Sequence, residues 1–157
     1  MASAVYADTA SSPYADITQL LQHAKPQEAL AQLEARIAAK PRDVQLRFLR
    51  GVVQSDLGLR DTAIQSFIEL IEQYPELPEP YNNLAVLYAS QNQLEKARVA
   101  LENAVRVNPS YATAYENLGD IYVHLATQSW VRAQQLEPQK SSSITPKLQL
   151  LRTLFQP

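Results

Sequence analysis

The sequence predicts an all-α protein, a solenoid of stacked helical hairpins. Three observations lead there. Small residues and prolines recur with a fixed period of 34: Ala29, Ala63 and Ala97; Pro41, Pro75 and Pro109; Gly51, Ala85 and Gly119. A period of this size marks supersecondary units that bury their apolar faces against one another. Only 3 of the 157 residues are glycine, and Ala, Leu and Gln are abundant, which favours helix almost throughout. Within each unit the apolar residues fall at i, i+3, i+4 and i+7, the spacing of one helix face.

Residues 1–13 are small and polar and are expected to be disordered. Val5-Tyr6-Ala7 before Asp8 has the small-residue spacing of a signal-peptide cleavage site, although no charged and apolar regions precede it. It is read as a mark of an exported, periplasmic protein cut from a longer precursor, in preference to a cytoplasmic one. Asp16 to Lys40 holds two amphipathic segments, one edged by Ile17, Leu20 and Leu21, the other by Ala29, Leu30, Leu33 and Ile37. Lys25-Pro26 separates them, because proline is tolerated at a helix's first position, where its missing donor has no partner. This unit, 14–42, is degenerate: Pro13 and Asp16 stand where later units carry Tyr and Leu. A terminal unit lacks one neighbour and is expected to be atypical.

The second unit, 43–76, opens at Asp43, whose carboxylate suits the exposed N–H groups of a first turn. Its first helix runs through Leu46, Leu49, Val52 and Val53 to Gly58, a residue able to take the left-handed turn conformation. Asp61 is the expected cap of the return helix, edged by Ala63, Ile64, Phe67, Leu70 and Ile71. Gly51 and Ala63 let the two helices approach, and Phe67 fills the groove beside them. The third unit, 77–110, repeats the plan, with Asn92 at the turn. Tyr81, Leu84, Leu87 and Tyr88 line one helix; Leu94, Ala97, Leu101, Ala104 and Val105 line the other.

These residues resemble the tetratricopeptide repeat, which pairs an aromatic-Leu-Gly-Tyr helix with an Ala-aromatic-Pro helix. Tyr81-x2-Leu84-Ala85-x2-Tyr88, Ala97-x3-Leu101 and Pro109 carry the pattern, and it returns at Tyr115-x2-Leu118-Gly119-x2-Tyr122. The likeness covers roughly 14–138 and implies a tetratricopeptide-type right-handed superhelix of three and a half to four repeats. It also implies a concave groove that binds a protein or peptide partner rather than catalysis.

The fourth unit, 111–138, departs from the pattern. Ser110 is its expected cap, and Ala126-x3-Trp130, Ala133 and Pro138 restate the second-helix signature. Pro109 to Pro138 spans 29 residues, so five are missing, and they are missing from the turn. No Gly, Pro, Asn or Asp between Asp120 and Pro138 makes a bend. One continuous helix from near Ala112 to near Glu137 is therefore predicted, ~39 Å long at about 1.5 Å per residue, with a closed hairpin as the alternative. Residues 139–145 read as a polar linker. Thr145-Pro146 reads as the start of a C-terminal helix, 146–156, with Leu148, Leu151, Leu154 and Phe155 on one side. A straight fourth unit leaves Tyr115, Tyr122 and Trp130 with apolar surface to cover. Either the C-terminal helix or a second copy would supply that cover, the latter in a homodimer through residues 111–155 with Tyr115, Tyr122, Trp130, Leu151 and Phe155 as the self-association residues.

By the resemblance, the first helix of each unit lines the groove, which assigns Phe48, Val52, Asn82, Asn83, Val86, Glu116, Asn117, Asp120 and His124 to it. Asn83 and Asn117 are 34 apart and are expected to offer an amide ladder to a peptide backbone. The family's clamps for C-terminal carboxylates use Lys, Arg and Asn. Here the matching places include two acids and no base, so apolar or basic ligands fit better. Glu116, Asp120 and His124 share a helix face, which raises metal binding or acid–base chemistry; a solvated polar face is the plainer reading, since no second His lies nearby. No Ser/His/Asp signature or phosphate loop occurs, so no enzyme, metal or cofactor is expected. A net charge of −2 without a basic stripe argues against nucleic acid. The absence of a long apolar run argues against membrane insertion, and the absence of cysteine removes thiol chemistry.

Overall fold

Three successive hairpins and one unbroken helix make up the computed structural model, which describes residues 13–154. The segment at 1–12, with its Val5-Tyr6-Ala7 motif, and Phe155 lie outside the described residues. The first hairpin is α1 (Ala15–Gln22) and α2 (Pro26–Ala39), the second α3 (Val44–Asp56) and α4 (Arg60–Gln73), the third α5 (Pro78–Ser90) and α6 (Leu94–Val107). The fourth unit is α7 (Ala112–Leu136), followed by a single 3-10 turn at Pro138–Lys140 and by α8 (Ser141–Leu154). Among the described residues there is no strand.

Each hairpin turns on one residue in the left-handed backbone region: Ala24 (φ 55°), Gly58 (φ 73°) and Asn92 (φ 57°). These three are themselves 34 apart. Glycine and asparagine enter this region readily, whereas alanine pays about 1–2 kcal/mol for its Cβ. The fourth unit lacks the residues that would hold such a turn, and α7 runs on for 25 residues, ~38 Å. The continuous helix expected from the missing bend is the one observed.

The hairpins close by setting a small residue against a large one. A Cβ on Gly51 would lie 2.8 Å from the Phe67 ring, closer than carbon atoms pack. Phe67 is fully buried, held among Val52, Ala63, Leu70, Leu84 and Leu87. The third hairpin uses Ala85 and Leu101, buried with Ala97, Ala104, Ala114, Leu118 and Ile121. The first packs Ile17, Ala29 and Leu33 against Leu46, Leu49 and Val53. Polar bonds tie the same joints: Ser66 Oγ donates to Gln54 Oε1 (2.7 Å) and Arg47 Nη1 to Gln73 Oε1 (2.8 Å).

Asp43 caps α3 as expected, accepting the Leu46 N–H at 3.1 Å. Tyr14 also donates to both Asp43 carboxylate oxygens, at 3.0 and 3.1 Å, and so joins the first unit to the second. Three cap expectations fail. Leu59, not Asp61, sits at the N-cap of α4; Asp61 lies within the first turn and accepts from Gln91 Nε2 (3.4 Å) in the next unit. Ser110 does not cap α7, because Asn108 Oδ1 captures its N–H (3.0 Å) and turns the chain, leaving Tyr111 at the cap.

Nor does Thr145-Pro146 open the last helix. The expected linker at 139–145 is mostly helical: α8 begins at Ser141 and carries Pro146 inside it. Two contacts with α7 recruit the preceding turn. Ile144 is buried, and Gln134 Nε2 donates to Thr145 Oγ1 at 3.0 Å. These hold α8 in spite of the backbone bond that proline cannot make.

Replacing Gly51 by Ala should destabilise the fold by about 1–3 kcal/mol, since the buried Phe67 ring has nowhere to move. Adding Phe67→Leu recreates the Ala85–Leu101 pairing of the third hairpin and should recover part of that loss. Urea denaturation of the single and double variants measures both.

Candidate functional site

Across units α3 touches α5, and α5 touches α7, whereas α4 and α6 make no such contact. The first helices thus crowd together on the inner side and the second helices splay outward. The inner surface of α3, α5 and α7 is the groove to which the sequence assigns its binding residues.

The structure sorts those residues by depth. Val86 is half exposed at 50%, and Glu116, Asp120 and His124 are exposed further along the groove. Phe48 is partly buried, its ring 5.8 Å from that of Phe67. Val52 and Asn82 are buried, at 9% and 7% exposure, because neighbouring first helices close over them. The expected ladder of Asn83 and Asn117 does not form. Asn83 Nδ2 turns to the Glu79 carbonyl of its own helix (2.9 Å). Asn117 Nδ2 instead donates to Asn82 Oδ1 at 2.8 Å, bridging α7 and α5. That amide pair clasps the inner helices together, and its bonded atoms are already occupied.

Glu116, Asp120 and His124 share a face of α7. Among the described residues no group of three His, Cys, Asp or Glu comes together in a way that could hold a metal ion. No helix among the described residues is long and apolar enough to cross a membrane.

The groove ends where α8 begins to cover α7. Val123, His124, Thr127 and Val131 of α7 face Leu148, Leu151 and Arg152 of α8 across a cleft of about 230 Å³. Trp130 is half buried there, with Lys147 Nζ 5.4 Å from its ring centroid. Tyr115 and Tyr122 stay open to solvent, at 50% and 48% exposure. The Tyr122 hydroxyl donates to Glu102 Oε1 (3.1 Å). Arg98 holds the Glu102 carboxyl below its ordinary value, and Tyr122 adds to the effect. This contribution to stability is present above the ordinary carboxylate range and fades as the pH falls through the lowered value.

The sequence reading assigned no role to the outward face. There, Ile68, Ile71, Tyr81, Leu84, Tyr88 and Val99 line a second, mostly apolar cleft of about 450 Å³ between α4 and α6. The signal for it was Val99, an apolar residue at an outward position, 48% exposed.

Such a surface, a groove of parallel inner helices on hairpin repeats, defines a helical-repeat protein of the kind built for contact over an extended face. Three tetratricopeptide repeat models match the chain, at residues 14–78, 67–99 and 87–125. The chain belongs to the tetratricopeptide repeat family. Solved structures share the fold. The crystal structure of MamA is 22% identical, with 78% of this chain and 74% of that chain covered and a TM-score of 0.63. The first such domain of Spaghetti (RPAP3), solved with an HSP90 peptide, is 18% identical, covering 71% of this chain and 88% of that one, with a TM-score of 0.66. YrrB, described as having an unusual peptide-binding site, is 28% identical over 66% of this chain, with a TM-score of 0.62; the match spans 53% of YrrB.

Asn117→Ala would leave the buried Asn82 oxygen without its donor and should cost about 1–3 kcal/mol of stability. Asn83→Ala gives up only a bond within its own helix and should cost under about 0.5 kcal/mol. Chemical denaturation of the two variants side by side distinguishes the clasp from the unpaired site.

Proposed function

We propose that the protein is a non-catalytic scaffold whose inner groove binds an extended segment of a partner protein. The observation that carries this is the exposed line from Val86 to Glu116 and Asp120, an apolar patch running into an acidic end. Phe48 adds apolar surface on the neighbouring helix. Because the two asparagines at the centre are engaged with each other, side-chain packing and charge supply recognition, rather than an amide ladder. Two carboxylates with no base at the matching positions disfavour an acidic, carboxylate-ended peptide of the kind seen with the RPAP3 domain. They favour a segment that alternates apolar and basic side chains. The peptide-binding site described for YrrB lends the general reading weight.

A second reading is favoured by a separate observation. Tyr115 and Tyr122 are half exposed on a helix whose hairpin partner is absent. Large aromatics left in water favour self-association, and a homodimer through the fourth unit would cover them. The groove reading uses the inner side of α7 and the dimer reading its exposed aromatic side, with Glu116 and Asp120 at the border between them. Export of the protein, read from Val5-Tyr6-Ala7, is a proposal tested by sequencing the N-terminus of the native protein.

The groove is tested on an array of short peptides of varied charge, followed by titration of the best binder. Val86→Asp should weaken that binding by at least about tenfold, a loss of ~1.4 kcal/mol. Replacing Glu116 and Asp120 together by Lys should shift preference from basic to acidic peptides. Unchanged affinity and preference in both variants would remove the groove from the function.

A further inference from the structure

Residues of α7 that are exposed or only half-buried form a pattern of their own. At about 100° of turn per residue, Tyr115, Gly119, Tyr122, Ala126, Trp130 and Ala133 all fall within an arc of ~80°. On one side of this stripe Ala114, Leu118 and Ile121 are buried in the cluster they share with α6. On the other, α8 lies along Val123, Thr127 and Val131. Between them lies the stripe, exposed at Tyr115, Gly119 and Tyr122 and half-buried beside α8 at Ala126, Trp130 and Ala133.

Its first half is the docking face of a first helix, and its second half is the matching face of a second helix. In the second unit the two faces meet where Gly51 receives Phe67. In the fourth unit the equivalent glycine is Gly119, and a Cβ there would have nothing within 4 Å. The residue meant to fill it, Trp130, lies further along the same straight helix and cannot turn back. A second copy of the chain can bring its own.

We infer that the protein forms an antiparallel dimer in which α7 of each copy supplies the second helix that the other's fourth unit lacks. This rests on the self-association reading above and gives it a register. With the two-fold axis beside residues 124 and 125, Tyr115 faces Ala133 of the second copy, Gly119 faces Trp130, and Tyr122 faces Ala126. Every large side chain meets a small one, and each contact occurs twice, as a two-fold interface requires. Charge agrees with size. Glu116 and Asp120 flank Gly119, and Lys147 stacks on Trp130, so docking the indole on the glycine carries a cation toward two carboxylates.

The open space at Gly119 supplies a clean test. Gly119→Leu adds bulk where the single chain has room and also favours helix. The monomer should keep its circular dichroism spectrum and should melt no lower. The side chain fills the pocket for Trp130, so the dimer dissociation constant, from sedimentation over a range of concentrations, should rise at least about tenfold. The chain has no cysteine, so single cysteines report without background. Spin labels on Gln128→Cys and on Glu137→Cys should lie about 20 Å and about 40 Å from their symmetry mates, because the two sites differ in distance from the axis. A dimer constant unaffected by Gly119→Leu, or equal separations for the two labels, overturns this register while leaving self-association standing. A chain that stays monomeric at high concentration overturns both.

Discussion

One contact recurs through the molecule and sets its dimensions: a residue with almost no side chain on the first helix of a hairpin, pressed against a large one on the second. Gly51 with Phe67 fixes how near α3 and α4 lie, and Ala85 and Leu101 hold the equivalent places in the buried cluster of α5 and α6. The contact is only available if the chain reverses between the two helices. Reversal depends in turn on a single left-handed residue, at Ala24, Gly58 or Asn92. Hairpin, stacking and groove all follow from those two requirements. Where the second requirement is dropped, the helix simply continues.

Much of this was legible in the sequence because a repeat states its own rules several times. The spacing of alanines and prolines gave the units, and the lack of any turn residue after Asp120 announced the length of α7. Residues whose role depends on one specific neighbour were harder. Asp61 and Ser110 have the chemistry of caps, but Asp61 falls inside the first turn and accepts from Gln91, and the turn that Asn108 makes by accepting the Ser110 backbone N–H leaves Tyr111 at the cap. Pro146 looks like the beginning of a helix until the contacts of Ile144 and Thr145 with α7 are known. Ala24 carries no hint of a left-handed backbone in its identity; only its place in the 34-residue count marks it.

The candidate groove shows the same division. Position along each first helix was enough to bring Val86, Glu116 and Asp120 to the surface. It did not reveal that Asn117 would bond to Asn82 while Asn83 turned back on its own helix. A side-chain amide reaches in any of several directions, and which one wins depends on the neighbours the fold brings to it. The inner face is consequently stiffer and less polar at its centre than a list of its residues suggests. What it leaves exposed is the apolar patch and the two carboxylates at one end.

The number five matters in the shortened unit as much as the loss itself. It leaves Tyr122, the last residue of one signature, four places before Ala126, the first of the next. Four residues come to about 400°, barely more than a full rotation, so both signatures point the same way. An interval of two or of five would have put them out of phase, on opposed sides of the rod. The helix would then be greasy all round, with no single edge to offer. As it stands, two half-recipes are fused in phase into one continuous ribbon.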